Sequence, residues 1–157
     1  MIASTLHLVA LAAYLGAVAG LWAIVFPSYA TVASHEARLK LLGRSLKIYN
    51  PVQCGALGVL VLTGAIQVTD LKDAYRGSFA QVFGATLGWK LVLAFVLILL
   101  STYQSMGVAL RFVRRYDGGD AITPAELDSV AKRLRGSTLP LLVIAAATVW
   151  LGLELRR

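Results

Sequence analysis

Acidic side chains are scarce in this sequence, eight against fifteen lysines and arginines, and none lies inside a long apolar run. Glu36, Asp70, Asp73, Asp117, Asp120, Glu126, Asp128 and Glu154 all fall in loops or at the ends of such runs. A proton relay of carboxylates through an apolar core is therefore excluded. There is no paired carboxylate, no phosphate-cradling glycine loop and no Ser/His/Asp set, so soluble enzyme chemistry is set aside. Cysteine occurs once, at Cys54. It cannot form an internal disulfide, offers no metal-ligand spacing, and reads as a small packed residue. Charged residues make up only 15% of the chain, where a soluble domain has about 25%.

What the sequence does contain is apolar length. Of 157 residues, 58% are hydrophobic, and the mean hydropathy is +0.73. Four runs, at about 2–26, 51–69, 79–112 and 137–153, can each cross a hydrocarbon core of roughly 30 Å, which takes about 20 helical residues. The first ends at Pro27 and the second at Asp70. The expected fold is an all-α membrane protein, a single-domain, four-span antiparallel transmembrane helix bundle. The first run lacks a basic leader and is too long for a signal peptide.

Loop charge predicts the orientation. Arg38, Lys40, Arg44 and Lys47 follow the first run, and Arg111, Arg114, Arg115, Lys132, Arg133 and Arg135 follow the third. The opposite side holds Lys72, Arg76, Arg156 and Arg157. By the positive-inside rule both termini face outward, which places them in the periplasm of a prokaryotic inner membrane. The net charge of +7 is thus a matter of topology and anionic lipid, not of nucleic acid. The cytoplasmic loops are expected to carry short interfacial helices. Thr123-Pro124-Ala125-Glu126 is a capping box with proline at the first helical position, after a turn at Tyr116-Asp117-Gly118-Gly119-Asp120. It leads into a helix interrupted by Gly136 and Pro140. Glu36 to Ile48 alternates basic residues with leucine, as an amphipathic helix at headgroup level does. His35, in the first basic loop, is read as solvated.

Lys90 is the only charge between Gly77 and Leu110. In mid-bilayer such a cation costs roughly 2.5–3.5 kcal/mol unless it snorkels or pairs. At 100° per residue, His7 and Tyr14 share a face of the first span, and Gly16 and Gly20 form a small-residue stripe about 180° away, suited to a partner subunit or a second copy. Gln53, Gly64 and Gln67 share a face of the second span. Thr86, Lys90, Leu97, Ser101 and Gln104 share one of the third. These polar faces are expected to look at one another. His7, Gln67, Thr86 and Lys90 then lie near the outer end, with Gln53, Ser101 and Gln104 near the inner end.

Leu6-His7-Leu8-Val9 opening the first span, Thr63-Gly64 closing the second and Gly88-Trp89-Lys90-Leu91 opening the third resemble the CopD/HemJ-like membrane proteins, over about residues 6–112. That group includes the copper-resistance D domain and the HemJ-type protoporphyrinogen oxidase. The resemblance implies that His7 and Lys90 are a functional pair associated with haem b, with His7 as the candidate ligand to haem iron. Where HemJ-like chains carry a Tyr-His pair in the third span, this one has Tyr103-Gln104. Where they carry an arginine and Tyr-His after the first span, it has Phe26-Pro27-Ser28-Tyr29. Three functions are therefore expected to compete. One is an accessory subunit of a larger respiratory or photosynthetic electron-transfer assembly, with or without a bound haem; the second is a HemJ-like haem-b protein of tetrapyrrole oxidation. The third is a CopD-like copper permease, for which the soft donors Cys54 and Met106 lie far from His7.

Overall fold

Four long rods, each apolar and long enough to cross a membrane, make up the molecule, a geometry compatible with a multi-pass membrane protein. The computed structural model describes residues 2–154. Arg156 and Arg157, counted above for orientation, lie outside them, and so does the side chain of Arg76. Among the described residues there is no strand.

The first rod is α1 (Ile2–Gly20), a π-helical turn (Leu21–Val25) and α2 (Phe26–Thr31). It does not stop at Pro27. A proline has no N–H for the carbonyl one turn back and crowds it, and the widened π turn just before it lets the helix run on to Thr31. After residues 32–34 comes α3 (His35–Tyr75), a single helix of 41 residues. A 3₁₀ turn, Arg76–Ser78, leads to α4 (Phe79–Thr102), which continues through a second π turn (Tyr103–Ala109) into α5 (Leu110–Asp117). Gly119, at φ +72°, turns the chain after α5 as only glycine does without strain, and α6 (Pro124–Glu154) completes the bundle.

The interfacial helices expected from the sequence are thus not separate elements. They are the first turns of α3 and α6, and the interruptions expected at Gly136 and Pro140 do not occur. Burial explains why. On α3 a stripe of Leu42, Leu46, Tyr49, Gln53, Ala56 and Thr63 runs straight past the exposed Pro51. On α6, Leu127, Ala131, Leu134, Thr138, Leu141 and Ala145 run past exposed Gly136 and Pro140. Both stripes keep the spacing of three and four that marks one continuous helix face. Tertiary burial outweighs a lost hydrogen bond at each proline. At 1.5 Å per residue, α3 is about 60 Å long, twice the hydrocarbon thickness.

α1 packs most extensively along α3, and α4 along α6. Contacts between α3 and α4 are fewer, and a groove opens there. Packing is also uneven along the bundle. Tyr14, Val18, Leu21, Leu42, Leu46, Leu134 and Leu141 are fully buried, all toward the end that carries the basic loops. Gly43 belongs to this region, where the Tyr116 ring lies so close to α3 that an added Cβ would sit 2.9 Å from it. Toward the end that carries the termini, no described residue is buried before Ala10 on α1, beyond Thr63 on α3, before Leu87 on α4 or beyond Ala145 on α6.

Candidate functional site

The loosely packed terminal end holds most of the residues singled out by the sequence. His7 is half-buried, and its Nδ1 lies 2.8 Å from Thr63 Oγ1 on α3. Thr63 has one hydroxyl proton, and it donates that to the Val59 carbonyl at 2.6 Å. The threonine oxygen therefore accepts from His7, which places the imidazole proton on Nδ1 and, in the neutral ring, the lone pair on Nε2. Gly64 makes room for the ring, whose Cε1 would be 3.6 Å from a Cβ at that position. Further along α3, Gln67 has its Nε2 sealed from water with no hydrogen-bond partner among the described residues. Lys90 lies across α6 instead, with Nζ 3.2 Å from where a Cβ on Gly152 would stand. Thr86, one turn before it, is half-buried. His7 and Lys90 thus share one end of the bundle but rest on different helices, α3 and α6.

Tyr14 does not join that group. Its hydroxyl is fully buried and lies 2.6 Å from Ser101 Oγ on α4. Gly16 and Gly20 look away from the bundle, since an added Cβ at either meets nothing within 4 Å.

Near Tyr14 the structure assembles a buried polar cluster that the sequence marks only in part. Thr138 donates its hydroxyl proton to the Leu134 carbonyl at 2.7 Å. It can then only accept from Gln104 Nε2, also at 2.7 Å. That fixes the Gln104 amide, whose Oε1 accepts from Tyr49 OH at 2.7 Å and from Gln53 Nε2 at 3.3 Å. Three rods are tied by one side chain. Among the described residues Gln53 Oε1, also buried, has no hydrogen-bond partner. Gln104 and Ser105, adjacent in sequence, are both buried because the π turn that carries them widens the inward face. Tyr49 and Thr138 are the members that sequence reasoning missed, although each sits on the buried stripe of its helix, four residues from Gln53 and from Leu134.

The basic end is stitched by exposed pairs. Thr123 N–H and Oγ1 both reach Glu126 Oε2, at 2.9 and 3.1 Å, and Glu126 N–H returns to Thr123 Oγ1 at 3.3 Å, so the capping box forms. Arg115 bridges Asp120 and Glu126, Lys47 pairs with Asp117, and Arg38 lies 3.9 Å from Asp128. The Thr123 bonds, with Arg115 beside them, hold the Glu126 carboxyl below the usual carboxylate range. His35 is not simply solvated: Nε2 lies 2.9 Å from the Ile122 carbonyl, joining the start of α3 to the loop before α6.

Among the described residues no group of three His, Cys, Asp or Glu side chains could hold a metal ion. A single imidazole whose second nitrogen is anchored does not suit a bare tetrahedral ion. It suits a metal that arrives with most of its ligands already in place. Comparison with protein-family models, with curated proteins and with solved structures gives no match for this chain.

Proposed function

We propose that this chain is a small integral membrane subunit of a larger electron-transfer assembly, and that it holds a haem b through His7 at its terminal end. The carrying observation is the His7–Thr63 bond, which holds the ring in a fixed orientation, as a supporting partner does where imidazole ligates a metal. Lys90, on α4 at the same end, would bind a propionate by charge, and Gln67 and Thr86 would supply neutral hydrogen bonds. A bound haem supplies one-electron transfer. The chain's own residues orient, anchor and exclude water. The open packing beyond Thr63 and Leu87 leaves space that a prosthetic group shared with a partner subunit would fill, and the outward Gly16/Gly20 stripe would let a partner helix approach.

In this reading the protein lies in a prokaryotic inner membrane with both termini outside, so the haem sits on the outer side. The resemblance to CopD/HemJ-like proteins implies that His7 and Lys90 form a pair associated with haem b. The test is a reduced-minus-oxidised absorption spectrum of protein purified from its native membrane in mild detergent. A Soret band with sharp α-band features is expected. It should vanish in His7→Ala, and Thr63→Ala should weaken haem affinity by about 10–100-fold, as loss of such supporting bonds does. A folded, colourless preparation overturns the proposal.

A further inference from the structure

The groove between α3 and α4 is independent of the His7 site. It has a volume of about 420 Å³, within the roughly 300–1,000 Å³ of small-molecule sites. Its chemistry changes along its length. Toward the basic end it is bordered by Gln53, Cys54, Ser101, Thr102 and Ser105 with Met106, and toward mid-span by Leu57, Gly58, Val61, Leu62 and Ile98. The polar end starts two residues past Pro51, where the apolar run of α3 begins. The bilayer has the same gradient.

At the polar end one buried group lacks a partner among the described residues. Because Thr138 fixes Gln104 and Gln104 fixes Gln53, the buried group left without a partner is the Gln53 carbonyl oxygen, an acceptor. Ser105 donates to Asn50 Oδ1, so it can only accept from the Cys54 thiol, 2.8 Å away. A donor on the occupant would satisfy that oxygen, and it needs no counter-charge, since no acid or base among the described residues borders the groove. We propose that the groove binds a neutral, hydroxyl-headed lipid drawn from the bilayer, its hydroxyl donating to Gln53 Oε1 and its alkyl chain lying along Leu57, Val61, Leu62 and Ile98. The Gln53 bond to Gln104 is long, and terminal amide torsions are soft. A small swing of the amide presents its oxygen to the head.

The experiment is photolabelling of the full chain in nanodiscs with a diazirine-bearing hexadecanol, followed by peptide mapping. Label should concentrate on residues 53–62 and 98–106. Unlabelled 1-hexadecanol should compete about five- to tenfold better than hexadecane, the worth of one hydrogen bond in a buried site. Gly58→Phe should abolish the focus by filling the groove, where an added Cβ meets nothing within 4 Å. Gln53→Leu should erase the preference for the alcohol while keeping the label in place. Label spread evenly over the apolar surface, or hexadecane competing as well as the alcohol, overturns the proposal. Both outcomes stand whatever the His7 spectrum shows.

Discussion

At position 104 a single amide reaches α3 through Tyr49 and Gln53 and α6 through Thr138 and the Leu134 carbonyl. Replacing it with leucine strands two buried donors, on Tyr49 and Gln53. In water each stranded group would cost about 1–3 kcal/mol. Within lipid the average measured hydrogen bond is nearer about 0.6 kcal/mol, because the unfolded chain also finds partners. The expected loss for Gln104→Leu is therefore about 1–2 kcal/mol, measured by unfolding in mixed micelles. Tyr49→Phe should add almost nothing in that background, since its partner is already gone. The sequence marks Gln53, Ser101 and Gln104 as one level of facing polar residues, and the structure brings them together. It does not mark which amide atom is left over, because that depends on the proton count of a threonine thirty-four residues away. Tyr14 misleads for a related reason: a shared face with His7 says nothing about depth, and two turns of helix separate the pair into different clusters.

Among the elements, α6 shows most plainly what local signals can and cannot fix. Its start is written in Thr123 to Glu126 and forms as expected. Its continuity is not, since glycine and proline read as breaks until the buried stripe from Leu127 to Ala145 is seen to pass them. Thr123→Ala removes the cap and should cost about 1 kcal/mol of stability. The same box gives a pH signature. Folding lowers the pKa of Glu126, so its contribution is fully present above the unfolded value of about 4.3. It is lost as pH falls through the folded value. Unfolding curves between pH 6 and pH 3 should therefore show wild type losing an advantage over Glu126→Gln at the acid end. A constant difference across that range would mean that the charge contributes nothing.

For the whole molecule, four apolar rods and their order follow from hydropathy alone, whereas the contrast between a tight basic end and a loose terminal end does not. Periodicity reports that a face is apolar, and lipid and protein are equally apolar neighbours. The orientation proposed above is testable on the described loops. Gly77→Cys should react with a membrane-impermeant maleimide in intact spheroplasts, and Ala121→Cys only after permeabilisation; the reverse pattern would invert the topology. The length of α3 has a mechanical meaning. One unbroken helix forms a wall of the groove and carries Thr63 beneath His7. From Leu39 to Thr63 is about 36 Å along a rod without a joint. A shift of the tightly packed basic end of α3 is therefore carried along one rod to the threonine under the histidine and to the groove wall together.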